Sequence, residues 1–271
     1  MTKHDVVIIG GGSAGIATAA SILKRKHNLD VLIIDPAEHH FYQPGWTLVG
    51  GGVFKPEQTK RQMADMVPRG ATWKKASVAE FHPAQNEVTL SNGEAISYES
   101  LVVAPGLKLN WAGVEGLEET LGRNGVTSNY RYDLAPYTWE LVNQMKSGRA
   151  LFTQPPMPIK CAGAPQKAMY LSCDAWLRKR VLKKMEVEFH NAGGVLFGVE
   201  AYVPALMKYV EKYDIDLCFF DNLIAVDGNQ KVARFERKKG DKTEIIDREF
   251  DMLHVCPPQT APDFISASPL T

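Results

Sequence analysis

The chain is short of cysteine, carries no net charge and has no long apolar run, and each shortage excludes something. Only four cysteines stand in 271 residues, none of them paired as CxxC. That argues against a disulfide-stapled secreted scaffold and against a zinc ribbon. Thirty-one Lys and Arg balance 31 Asp and Glu, so the basic excess of a nucleic-acid binder is missing. No apolar stretch approaches the ~18 residues of a membrane-spanning helix. Only Met1 to His4 precede the first apolar run, which leaves no room for a signal or transit peptide. These features predict a reduced, cytoplasmic protein. Adjacent His39 and His40 lack the spacing of metal ligands on one helical face, and no metal is expected. The segment from His39 to Phe54 has no Asp, Glu, Lys or Arg, but holds Phe41, Tyr42, Trp46 and Phe54 with Gly45, Gly50, Gly51 and Gly52. It suits neither helix nor strand for long.

What is present is first a βαβ pattern. Asp5-Val-Val-Ile-Ile9 reads as a buried parallel strand. Gly10-Gly-Gly-Ser-Ala-Gly15 follows at once, then a helix from Ala14 to Lys26, then a second strand, Val31-Leu-Ile-Ile-Asp35, ending in an acid 20 residues after Gly15. In such a loop one glycine allows the tight turn, one lets the backbone approach a pyrophosphate, and one lets helix and strand pack closely. The phosphates rest on the helix N-terminal NH groups, and Asp35 is placed to meet ribose hydroxyls. FAD and NAD share this fingerprint, so the loop alone does not choose between them.

Strands are expected at Ala71 to Phe81, Glu87 to Leu90 and Leu101 to Gly106, the second followed by a Ser91-Asn-Gly93 turn. Helices at Tyr132 to Lys146, Ala164 to Arg180 and Tyr202 to Tyr213 alternate with strands at Arg149 to Thr153, Val187 to His190 and Ile215 to Phe219. Three meander strands follow, joined by Asp227-Gly228 and Gly240-Asp241 turns, and Met252 to Val255 is a last buried strand. The pattern is α/β: two Rossmann-like dinucleotide-binding domains with β-meander excursions. The expected boundaries are 1–110 for a first domain, 111–250 for a second, and 251–271 for a return to the first.

The second strand–loop–helix carries no second glycine fingerprint. Its loop reads Pro155-Pro-Met-Pro-Ile-Lys-Cys-Ala-Gly-Ala-Pro-Gln-Lys167. Cys161 stands just before the helix start, beside Lys160, and a helix N-terminus and a neighbouring cation both favour a thiolate. Cys161 is therefore the candidate reactive thiol. Cys173 and Cys218 read as core residues. Cys256, at a strand end, is open to either role.

Gly10-Gly-Gly-Ser-Ala-Gly15, His40-Phe-Tyr-Gln-Pro44, Trp46-Thr-Leu-Val-Gly50 and Pro158-Ile-Lys-Cys-Ala-Gly-Ala-Pro-Gln-Lys167 together resemble the sulfide:quinone oxidoreductases, flavoproteins of the two-dinucleotide-domain type. The resemblance implies FAD as cofactor, with Gly10, Gly12, Ser13, Ala14, Gly15 and Asp35 around its phosphates and ribose. It adds Val78 beside the adenine, and Gln43, Ala104 and Gly106 toward the flavin. It implies Cys161 as one of two redox cysteines, with Lys160 stabilising anionic sulfur. The implied partners are hydrogen sulfide, a membrane quinone and a small sulfur acceptor, with no nucleic acid.

Family members continue into a Gly-Asp strand, a second redox cysteine and a C-terminal region that meets quinone and membrane. Gly240-Asp241, between Lys239 and Lys242, is a polar turn instead. A C-terminally truncated or partial sequence is the expectation. Membrane contact would come only through the missing part, at the inner face of the membrane in the complete protein. Two other readings stay open: a non-catalytic FAD-binding remnant, and an NAD(P)H:quinone reductase, against which the proline-rich loop weighs.

Overall fold

A computed structural model describes residues 2–271, which divide into two units: residues 2–42, 60–108 and 260–271 form one, and residues 43–59 and 109–259 the other. In the first unit β1 (Thr2–Ile9), helix α1 (Ser13–Arg25) and β2 (Val31–Ile34) form the expected βαβ unit, followed by β3 (Ala71–Lys74), β4 (Val78–His82), β5 (Glu87–Leu90) and β6 (Ala95–Val103). The sheet order is β3-β2-β1-β6-β5-β4. β1 lies parallel to β2, with Ile8 beside Ile33, and parallel to β6, with Ile8 beside Val102. Side chains alternate across a sheet. Val6, Ile8, Val31 and Ile33 accordingly pack with Ala19 and Leu23 of α1, while Val7, Ile9, Leu32 and Ile34 pack in a separate cluster with Phe81 and Val88. Burial on both sides is why these strands read as unbroken apolar runs.

The single strand expected over 71–81 is two strands. β3 pairs with β2 and β4 pairs with β5, at opposite ends of the sheet order, and one continuous strand cannot occupy both places. The segment expected to form no lasting element holds a short strand, His39–Phe41, and the helix α2 (Pro44–Gly50). Pro44 suits a helix start, where its missing N–H is not needed. The glycines that spoke against a helix are packing sites: a Cβ at Gly50 would lie 2.2 Å from Asn129 Oδ1, and one at Gly51 would lie 2.8 Å from Leu171 Cδ1.

In the second unit α3 (Ala135–Gln144), α4 (Gly163–Arg178) and α5 (Val203–Tyr213) accompany β7 (Val126–Thr127), β8 (Gly148–Gln154), β9 (Met185–Asn191), β10 (Ile215–Phe219) and β14 (Met252–His254). Their sheet order is β7-β14-β8-β9-β10, parallel throughout. Between β10 and β14 runs the expected antiparallel meander, β11 (Asp221–Asp227), β12 (Val232–Lys239) and β13 (Lys242–Glu249). The return to the first unit comes after Gln259, later than the expected 251. The reason is pairing: Leu253 in β14 lies between Val126 and Leu151, inside the second sheet. Residues 43–59, expected in the first domain, also belong to this second unit. Among the described residues no helix is long and apolar enough to cross a membrane.

Candidate active site

Three of the four glycines in the loop of the first unit have separate reasons to be there. Gly10 has φ +105°, and a Cβ there would sit 2.2 Å from the Ala104 carbonyl oxygen, so β1 and β6 end against each other. A Cβ at Gly15 would sit 1.9 Å from the Gly10 carbonyl oxygen, so only glycine lets α1 start so close to the loop. Gly12 differs, since nothing lies within 4 Å of where its Cβ would be. The first turn of α1 has no acidic residue and no capping side chain, and Gly12, Ser13 and Ala14 are exposed. An uncapped helix N-terminus beside an open cradle is the arrangement that accepts a phosphate.

Asp35, at the end of β2, has a second task. Its Oδ2 accepts the Gly11 N–H at 2.6 Å and its Oδ1 accepts the Ala37 N–H at 2.7 Å. The carboxylate therefore shapes the glycine loop, and lone pairs on both oxygens remain for hydroxyl groups. Ala104 donates its N–H to the Ile9 carbonyl at 2.8 Å. Gly106 has φ +78° and faces open space. Val78 is buried at the head of β4, paired with Leu90.

In the second unit Cys161 is the one exposed cysteine; Cys173, Cys218 and Cys256 are buried. It has φ +63°, an uncommon conformation for a residue with a side chain. Its carbonyl accepts the Ala164 N–H at 2.9 Å as α4 begins. Lys160 lines the same cavity, but the ammonium in contact with the sulfur is that of Lys167, 3.8 Å from Sγ. Partial burial pulls the Lys160 pKa down, opposed by the charge of Cys161. Lys167 closes the sequence motif around Cys161, yet a separation of six residues gave no reason to single it out.

Cys256 stands next to this loop, at the end of β14. Burial pushes its thiol up to about 12, against hydrogen bonds from Tyr130 and Gln259. Gln259 Oε1 accepts the Lys160 N–H at 2.5 Å, and its Nε2 lies 3.8 Å from Cys256 Sγ. The buried Tyr130 donates its hydroxyl to the Lys160 carbonyl at 3.4 Å. These residues clamp the backbone that presents Cys161. Gln43, grouped with the flavin ligands by resemblance, heads α2 and lines the Cys161 cavity together with Asn129. Sequence reasoning singled out none of Lys167, Tyr130, Asn129 and Gln259.

Cys173 lies in the apolar cluster around Trp176, and burial raises its pKa. Cys218, pushed up to about 12 by burial, shares a buried group with Glu188 and His190. His190 places Nδ1 2.9 Å from Asp221 Oδ2 and Nε2 3.0 Å from Glu188 Oε2. Arg237 binds Asp221, while Arg248 and Arg149 bind Glu188. Burial pushes both carboxyl groups up, and the bonds from His190 and the arginines outweigh it, holding both below the ordinary range. Three guanidinium groups would repel a divalent cation here. The group is an ion network joining the meander to the parallel sheet.

Residues 4–142 match the pyridine nucleotide-disulphide oxidoreductase family. The chain is 42% identical over 268 residues to the mitochondrial sulfide:quinone oxidoreductase of Dictyostelium discoideum, covering 98% of this chain and 58% of that protein. It is 38% identical over 269 residues to the mouse mitochondrial enzyme of the same name, covering 98% and 59%. The solved structure of the Aquifex aeolicus sulfide:quinone oxidoreductase superposes with a TM-score of 0.80 at 20% identity, over 98% of this chain and 61% of that one. The chain thus spans about three fifths of the length of the curated relatives it matches.

Proposed function

Since the chain belongs to the pyridine nucleotide-disulphide oxidoreductase family, we propose that it carries the sulfur-handling and FAD-binding part of a sulfide:quinone oxidoreductase. FAD is the cofactor of the family, and the residues of the first unit fit it. The open cradle at Gly12 and the uncapped start of α1 would take the pyrophosphate. Asp35 would take ribose hydroxyls, and Val78, Ala104 and Gly106 would lie along the rest of the cofactor. When bound, FAD supplies a two-electron acceptor that links sulfur oxidation to a quinone.

The single observation that carries the reading is Cys161: an exposed sulfur on a clamped loop, with the Lys167 ammonium beside it, while the other three cysteines are buried. In the proposed reaction a hydrosulfide ion attacks a sulfur–sulfur bond at Cys161. A new S–S bond forms, the old one breaks, and the displaced sulfur leaves as a thiolate. Lys167 and Lys160 stabilise that anion, and α4 presents its N-terminal end to the same sulfur. Gln259 and Tyr130 hold the loop so that Sγ stays exposed. The sulfane sulfur passes to a small acceptor, and the two electrons released as the two thiolates re-form the sulfur–sulfur bond would pass through FAD to a quinone. A lipid-soluble quinone makes the complete protein a peripheral visitor to the inner face of a membrane.

Anaerobic mixing with sulfide tests the proposal through the loss of flavin absorbance. Cys161→Ser should keep its FAD but bleach slower by orders of magnitude, because serine cannot form the disulfide or persulfide. Equal bleaching rates in the two proteins would refute the assignment.

A further inference from the structure

We infer that His40 is a positioning residue for the cofactor: it holds the Gly11 carbonyl, and so presents the Gly12 N–H to the pyrophosphate of FAD. The inference rests on the reading of the first unit as the FAD site and is independent of the sulfide chemistry.

The short strand His39–Phe41 pairs antiparallel with Lys60–Gln62, with His40 opposite Arg61. Neighbouring side chains of a strand point to opposite faces. The rings of His39 and Phe41 accordingly share one face, their centroids 6.4 Å apart. His40 takes the other face, where its Nδ1 lies 3.3 Å from the Gly11 carbonyl oxygen. A carbonyl only accepts, so Nδ1 carries the proton. The same pair of strands leads Met63 to the loop. The Met63 N–H donates to the Glu38 carbonyl at 2.8 Å, and the residue is fully buried. A Cβ at Gly11 would lie 3.0 Å from Met63 Cε and 3.1 Å from its Sδ.

Gly11 is thus gripped at both ends. Asp35 Oδ2 accepts its N–H at 2.6 Å, and His40 donates to its carbonyl. The peptide unit that joins Gly11 to Gly12 is planar and trans, so its carbonyl and its N–H point opposite ways. With the carbonyl held by His40, the Gly12 N–H faces away from the imidazole. It has no acceptor among the described residues, and it belongs to the glycine beside which the cradle is open. Glycine has more conformational freedom than any other residue, and Gly10, Gly11 and Gly12 stand in a row. A donor fixed before the anion arrives avoids the cost of ordering it on binding. His40 and Asp35 supply that fixation from outside the loop.

The test titrates the purified chain, stripped of flavin, with FAD and follows the quenching of flavin fluorescence. Asparagine places an amide N–H where the Nδ1 of histidine stands, and glutamine places one where Nε2 stands. His40→Ala and His40→Gln should each weaken FAD binding about fivefold to tenfold, the worth of one hydrogen bond, while His40→Asn should stay within about twofold of the wild type. ADP, which has the pyrophosphate but no flavin, should compete less well against His40→Ala by the same factor. Adenosine, which has no phosphate, should compete equally with every variant, whereas a general loosening of the site would weaken it too. Equal FAD affinity in all variants, or equal losses in His40→Asn and His40→Gln, overturns the inference. A wild-type chain that takes up no FAD removes the cofactor reading of the loop, and this inference with it.

Discussion

The Arg237 guanidinium grips Asp221 with two parallel bonds, Nε to Oδ1 and Nη2 to Oδ2, each 2.6 Å. Asp221 is fully buried and also faces His190, so removing the arginine would strand a buried negative charge. Arg237→Leu should cost about 3–5 kcal/mol of stability. Arg234 meets Asp247 through the same fork, at 2.8 and 3.0 Å, but both are about half exposed. Arg234→Leu should change little. Denaturant unfolding of the two variants decides whether burial or geometry sets the strength of these pairs.

His254 predicts a loss of stability in mild acid. It is fully buried, and burial lowers its pKa from 6.5 to about 4. Its Nε2 accepts the Asn129 N–H, a role only the neutral ring can play. Between pH 6.5 and about 4 the unfolded chain takes up a proton here that the folded chain refuses. Stability is therefore complete above pH 6.5 and falls as the pH drops through that window. From pH 7.5 to pH 5 the loss should be about 2 kcal/mol. Asp221 and Glu188, with lowered pKa values, add their losses only at lower pH. Unfolding midpoints at the two pH values should differ for the wild type and far less for His254→Gln.

Gly12→Val should leave the fold intact, since nothing lies within 4 Å of the new Cβ. FAD affinity should nevertheless fall by about two orders of magnitude, roughly 2.7 kcal/mol, because the branched side chain fills the space a pyrophosphate needs. Gly15→Val, by contrast, should not fold, with its Cβ 1.9 Å from the Gly10 carbonyl oxygen. Flavin titration beside circular dichroism separates the two effects, and undiminished binding by Gly12→Val would remove the loop from the cofactor site.

Cysteine labelling checks the clamp. In the native chain iodoacetamide should reach Cys161 first, with Cys173, Cys218 and Cys256 slower by orders of magnitude because they are buried. Gln259→Ala releases the Lys160 N–H and the contact to Cys256. It should cost about 1–2 kcal/mol and raise the Cys256 labelling rate while Cys173 stays protected. Equal acceleration of both would point to global loosening rather than to a lost clamp.

How legible each part was follows from sequence distance. The βαβ unit stood out because its strands, glycines and Asp35 lie within 35 residues and each obeys a short-range rule. The meander was legible for the same reason. The helix at Pro44–Gly50 was obscured because glycine argues against helices in general, and only its packing against Asn129 and Leu171 explains the choice. The strand over 71–81 was misjoined because pairing partners, not propensity, decide where a strand breaks.

Periodicity and steric rules acting over a few residues sufficed to place Cys161 at a helix start, Asp35 at a strand end and Cys173 in a core. Which groups surround those atoms was decided by contacts between distant segments. Asn129 meets His254 across 125 residues and Lys160 meets Gln259 across 99. Such meetings depend on how helices and sheets pack. A buried imidazole such as His254 acquires its shifted pKa only once that packing has removed the water around it.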